Sequence, residues 1–198
     1  MKRQIGVTLV ELMIGVAIVA LLIMLAAPSL TAFIQNRQIR TTAESISGAL
    51  QLTRAEAMKS NATAMFSLTT TVDDNCILND NGPNWVVSSS DPTAACATGT
   101  QVVQKRADAE STANTTIVAT RNTAPVQALG GQIVFNGLGR VTPNQAADIW
   151  IDVSNPVGGN CGTAAGDMRC LRVVVSPGGM IRLCDPNVAY SLTNSQGC

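Results

Sequence analysis

The chain has 198 residues, of which 46% are hydrophobic but only 3% aromatic and 13% charged, with 13 basic against 13 acidic side chains and no histidine. Zero net charge gives no bulk attraction to nucleic acid. The missing imidazole removes the commonest general base, the Ser–His and Cys–His dyads and the commonest metal ligand. No phosphate-cradling loop or nucleophile–base pair is visible either, so the expectation is a non-enzymatic protein with no catalytic residue, metal or cofactor. The polar remainder, rich in Thr, Ser, Asn and Gly, suits a secreted β-rich domain with long turns.

Residues 1–6, Met-Lys-Arg-Gln-Ile-Gly, form a short basic leader before an apolar run from Val7 to Ala27 that holds one charge, Glu11. At ~1.5 Å per residue the run matches a bilayer core of ~30 Å. Lys2 and Arg3 hold its start on the cytoplasmic side, which puts the rest of the chain outside. A cleavable secretory signal is the competing reading, but Ala26-Ala27-Pro28 is a poor cleavage point because proline follows directly. A plain signal anchor would carry no acid. Glu11 costs on the order of 2–3 kcal/mol inside a membrane unless it is paired, and no Lys or Arg follows until Arg37. Cleavage after Gly6 would create an α-ammonium on Val7, four residues before Glu11, that a neighbouring chain's carboxylate can pair with.

The helix is expected to continue through Pro28, with a kink there, as an amphipathic segment over residues 28–61. Ile39, Ala43, Ile46, Leu50 and Ala57 recur at helical spacings and form one apolar stripe. Arg37, Arg40, Glu44, Arg54, Glu56 and Lys59 fall largely off it, and Ser60-Asn61 supplies the stop. A lone amphipathic helix is marginal unless its stripe is covered, and the simplest cover is a β-sheet of the same chain.

From residue 62 to 198 the period changes. Ala64–Thr70, Trp85–Ser88, Gln101–Gln104, Thr115–Thr120, Gln132–Phe135, Asp148–Val153, Leu171–Ser176 and Met180–Cys184 read as short strands, separated by Gly, Pro, Asn and Asp turns. Pro177-Gly178-Gly179 marks a closing hairpin. The fold class is therefore α+β, a long helix on an antiparallel, sandwich-like β domain. Residues 62–120 are acidic, and the Val72–Glu110 stretch reads as a surface excursion. Asp148 and Asp152 fall on one face of a strand, where surface solvation accounts for them.

All six cysteines lie after residue 75, widely spaced and without a C-x-x-C. That pattern indicates disulfides in an oxidising compartment rather than a zinc site, with reduced buried thiols as the alternative. Many pairings are open; the sequential set Cys76–Cys96, Cys161–Cys170 and Cys184–Cys198 is the expectation adopted.

The leader ending in Gly6, the run Val7-Thr8-Leu9-Val10-Glu11-Leu12 and Pro28 further along the helix resemble the type IV pilin family. That resemblance implies cleavage after Gly6 and N-methylation of Val7 by a prepilin peptidase, and a role in assembly for Glu11. Val7 stands where the family usually has Phe. Three further runs resemble the GspH/FimT group: Arg54-Ala-Glu56-Ala-Met-Lys59 at the helix end, Phe135-Asn-Gly-Leu-Gly139-Arg140, and Leu171-Arg-Val-Val-Val-Ser-Pro-Gly-Gly-Met-Ile-Arg182-Leu-Cys184. The resemblance implies a minor pilin priming or capping a type IV pilus, held in the inner membrane with its domain in the periplasm, its partners other pilin subunits. A type II secretion pseudopilin is the alternative. A DNA-binding minor pilin for transformation is the second alternative. The family's Gly-Arg-x-Arg motif falls on Gly179 to Arg182 with the first Arg missing, which leaves Arg169, Arg172 and Arg182 as candidate DNA contacts.

Overall fold

The structure, a computed structural model, describes residues 8–107, 114–143, 146–191 and 193–198, with the backbone alone for residues 25–29. The leader, with Gly6 and Val7, lies outside the described residues. The chain divides into two compact units, residues 1–34 and residues 35–198.

In the first unit a helix, α1 (Leu9–Ser60), begins at Thr8, whose hydroxyl accepts the Glu11 amide at 3.3 Å and whose carbonyl accepts the Leu12 amide at 3.1 Å. The hydroxyl satisfies one amide of the open first turn, the role of an N-cap threonine, and the carbonyl accepts the first bond of the helix. Every side chain from Leu9 to Met24 is exposed. Among the described residues no helix is long and apolar enough to cross a membrane.

In the second unit α1 runs on to Ser60. Ile39, Ala43, Ile46, Leu50 and Ala57, the stripe read from spacing, are all fully buried, with Thr42, Ala49 and Thr53 filling the same face. Asn61 takes a left-handed conformation (φ 49°), the Asn61 amide donates to the Met58 carbonyl at 3.4 Å, and the Ala62 amide reaches back to the Ala57 carbonyl at 3.2 Å. This is a helix stop in which a residue with a short polar side chain tolerates φ > 0.

Among the described residues ten strands follow: β1 (Ala64–Thr69), β2 (Asn84–Ser88), β3 (Val102–Arg106), β4 (Thr116–Arg121), β5 (Gln127–Ala128), β6 (Gln132–Phe135), β7 (Val141–Thr142), β8 (Ile149–Ser154), β9 (Leu171–Val175) and β10 (Ile181–Cys184). They form two antiparallel five-stranded sheets, ordered β3-β2-β1-β6-β7 and β10-β9-β8-β4-β5. The eight strands expected from sequence are all present, and β5 and β7 are additions. Along β8 buried and half-buried positions alternate, so Ile149, Ile151 and Val153 point into the core, as the two-residue strand period requires. The helix is fastened to elements of both sheets. Trp85 Nε1 on β2 donates to Ser45 Oγ at 3.2 Å, and Asn155 Nδ2, just past β8, donates to Gln38 Oε1 at 2.9 Å.

Of the Val72–Glu110 stretch, the described residues 72–107 are not a surface excursion. They supply β2 and β3 to the first sheet, and every residue of β2 is buried. Trp85 meets the helix on one face. On the other, Val86 packs with Cys76 and Cys96, against which Val102 is set. Turn-rich acidic composition marks the loops of this stretch and masks the strand between them.

Three disulfides close the chain, Cys76–Cys96, Cys161–Cys170 and Cys184–Cys198, the sequential set. Beside the first, Asp74 accepts the amides of Ala97 and Thr98 and the Thr98 hydroxyl, while Asp73 accepts the Thr71 hydroxyl and the Asn75 amide. These bonds favour the ionised carboxylates and lower both pKa values, Asp73 chiefly through the Thr71 hydroxyl and Asp74 chiefly through the Thr98 amide. A lowered folded-state value means support that is complete above the unfolded pKa of 3.8 and is lost as pH falls through the lower folded values. Amide resonances of Ala97 and Thr98 are expected to stay constant from neutral pH to about pH 4. Below it they shift with a midpoint under 3.8, which Thr98→Ala raises. A midpoint at or above 3.8 in the unmodified chain would contradict the assignment.

Candidate assembly site and the basic hairpin

Glu11 sits in the first turn of α1. There its charge is favoured by the positive end of the helix dipole, an effect of ~0.3–1 kcal/mol at best. Its neighbours Leu9, Val10, Leu12, Met13 and Ile14 are more than half exposed. Among the described residues it has no ion-pair partner. One carboxylate is thus held at a defined point on an otherwise apolar helix surface.

The closing hairpin of β9 and β10 turns through Ser176–Met180, with the Ser176 amide donating to the Met180 carbonyl at 2.9 Å. Its three candidate arginines have internal partners. Arg172 makes two bonds to Asp152, Nε to Oδ1 at 2.6 Å and Nη2 to Oδ2 at 2.9 Å, and stacks over Trp150 at 4.0 Å. Arg169 Nε is 2.9 Å from Asp185 Oδ2. Arg182 Nη1 donates to the Gly197 carbonyl at 3.1 Å and lies over Tyr190 at 5.0 Å. Asp152 is therefore a salt-bridge partner rather than a solvated carboxylate, directly opposite Arg172 in the register of β8 and β9. Asp148 falls one residue before β8, off the strand.

Because Arg172 is mostly covered and doubly bonded, Arg172→Ala is expected to cost about 1–2 kcal/mol, combining a partly solvated bidentate pair with a cation–π contact. Chemical denaturation checks this. No change in midpoint would show the pair to be a surface contact of no consequence.

The structure also joins runs that sequence reading left separate. Arg54 Nε on α1 donates to the Gly139 carbonyl at 3.1 Å, in the turn between β6 and β7. The Val141 amide donates to the Pro177 carbonyl at 3.1 Å, in the hairpin of the other sheet. Gly139 and Gly179 both have positive φ, 72° and 83°. A Cβ on Gly139 would lie 2.9 Å from Arg54 Nε and from Met58 Sδ, and one on Gly179 would run into the Gly139 carbonyl. The helix end, the Gly-Arg turn and the closing hairpin thus meet at one point. The signal in the sequence was two glycines, each followed by a long side chain, in turns that hydrophobic periodicity does not connect.

A helix that starts with an exposed apolar face and one acid, and ends buried against two antiparallel sheets, defines the type IV pilin-like class of subunit. The model of the family described as type II transport protein GspH matches residues 42–179, from the buried half of α1 to the closing hairpin. The model described as the prokaryotic N-terminal methylation motif matches residues 1–27. The chain belongs to the GspH family of pilin-like proteins. Two crystal forms of the type IV minor pilin FimU of Pseudomonas aeruginosa align with it at 13% and 15% identity. They cover 73% and 76% of this chain and 90% and 91% of their own, with TM-scores of 0.48 and 0.49. No curated protein matches the chain.

Proposed function

We propose that the chain is a minor pilin, anchored in the inner membrane by residues 7–27 with its β-rich domain in the periplasm, that primes or caps a type IV pilus. Glu11 carries this reading. It is a lone carboxylate among exposed apolar side chains, in the first turn of a helix that leads into the folded domain. Cleavage after Gly6 by a prepilin peptidase would put an ammonium on Val7. A neighbouring subunit's Val7 would then neutralise Glu11 in the filament and remove the desolvation cost of an unpaired acid. The match to the N-terminal methylation motif over residues 1–27 supports this chemistry.

The family description, type II transport, favours a second reading, a pseudopilin of type II secretion. Deletion of the gene separates the two. The first reading expects loss of surface pili and twitching with exoprotein export intact. Loss of export with pili intact overturns it in favour of the second. For DNA uptake the cations of the hairpin would have to face solvent free of partners. The pairing of Arg169, Arg172 and Arg182 with Asp185, Asp152 and the Gly197 carbonyl argues for a structural use of all three.

A further inference from the structure

Around the meeting point of Gly139 and Gly179 three large apolar side chains are exposed: Leu138 (76%), Met180 (63%) and Met58 (45%). Leu138 and Met180 flank the two glycines, and the Met58 sulfur lies against Gly139. Folding has left this patch uncovered although the turns beneath it are tightly packed. Next to these residues in the chain stand three cations: Lys59 is paired with Glu56, Arg54 donates to the Gly139 carbonyl, and Arg140 follows Gly139 directly. Arg140 is exposed and its side chain has no hydrogen-bond or ion-pair partner among the described residues. A surface that complements this one is both apolar and acidic.

The same chain carries an acidic surface with one exposed apolar side chain. The Cys76–Cys96 disulfide clips residues 73–77 to residues 91–98, and the Ala94 amide donates to the Cys76 carbonyl at 3.1 Å. This stapled loop exposes Ile77 (59%). It bears Asp73, Asp74 and Asp91 against one cation, Lys105, whose ammonium donates to the Val72 and Cys96 carbonyls. Asp73, Asp74 and Asp91 each accept backbone amides, so the acidic side is held in shape by the disulfide and by its own turns.

We propose that the apolar patch of Met58, Leu138 and Met180, with the cations beside it in the chain, docks the acidic stapled loop of a second copy of this chain. The contact is heterologous, patch on one copy and loop on the next, so a pair leaves one patch and one loop free. Its electrostatic complementarity fixes register more than affinity. A contact of this size is weak in free solution and gains from confinement of both copies to one membrane. The proposal rests on the membrane-anchored minor-pilin reading and names one of its partners.

The test uses the full-length chain in its own membranes. A photo-reactive residue replaces Met180 in one copy, a second copy carries a distinguishing tag, and mass spectrometry maps the cross-links. The expected result is a mixed dimer cross-linked within residues 73–98 of the tagged copy. That product is lost on Arg140→Glu, a change at an unpartnered exposed side chain that spares the fold. The same probe at Val126, exposed elsewhere on the domain, should give none. Cross-links that map elsewhere on the tagged copy, that capture no copy, or that survive Arg140→Glu overturn the proposal. Recovery of the chain in sheared filaments, measured in parallel, reports on the minor-pilin reading separately. Filaments that contain the chain without the cross-link overturn the contact alone, and the cross-link without incorporation upholds the contact and overturns the other reading.

Discussion

Gly179→Ala is expected to destabilise the folded domain by about 2–5 kcal/mol. Two costs add. The backbone at Gly179 has φ 83°, a conformation that costs an L-residue roughly 1–2 kcal/mol. The new methyl would also run into the carbonyl oxygen of Gly139. A backbone atom cannot rotate out of the way, so the two turns have to separate, an overpacking cost of roughly 1–3 kcal/mol. For a domain of this size the melting temperature should fall by about 5–15 °C. Separation would also break the bonds from Arg54 to the Gly139 carbonyl and from the Val141 amide to Pro177. Those bonds tie the helix end and the two sheets together.

Two further substitutions tell the costs apart. Gly130→Ala places a methyl in open space at φ 84°, so only the backbone term remains. Gly178→Ala meets only Ser176 Oγ at 3.9 Å and carries no positive φ, so it should be near neutral. The expected order of melting temperatures is Gly178→Ala, Gly130→Ala, Gly179→Ala, highest first. Should Gly179→Ala melt no lower than Gly130→Ala, the contact between the two turns contributes nothing to stability.

This junction shows where sequence reading stops. The helix stripe was legible because each of Ile39, Ala43, Ile46, Leu50 and Ala57 faces the same cover, and burial then leaves a helical spacing in the sequence. The β8 strand was legible for the matching reason, one face in and one face out. The β2 strand kept no alternation, since helix and disulfide loop cover its two faces, and β5 and β7 are too short to display a period. Arg54 and Gly139 lie 85 residues apart. No local pattern joins them until the two sheets are in place. The arginines of the hairpin were visible as charge, but whether Arg172 is free or bonded depends on strand register, which puts Asp152 across from it. Glu11 stood out for the opposite reason, because an acid in an apolar run is costly wherever the chain goes.

Glu11→Ala is expected to leave membrane insertion unchanged or improved and to lower the amount of chain in sheared filaments at least tenfold, an effect of about 1.4 kcal/mol or more. Insertion should not suffer because removing an acid from the apolar run relieves the on-the-order-of 2–3 kcal/mol that its burial costs. Assembly should suffer because in the filament the carboxylate is no longer a cost. Opposite an ammonium it becomes an attraction within a water-poor bundle of helices, and its loss leaves the partner's charge buried and unpaired. Glu11→Gln separates charge from shape. The amide keeps the size of the carboxylate and one acceptor oxygen but carries no charge to neutralise an ammonium, so it should fall with the alanine variant. Glu11→Asp keeps the charge on a shorter stem and should fall between the wild-type chain and the alanine variant. Wild-type incorporation of Glu11→Gln would mean that the residue acts by hydrogen bonding, and the paired Val7 ammonium would have to be given up. Wild-type incorporation of Glu11→Ala would remove the reason for reading this helix as an assembly element at all.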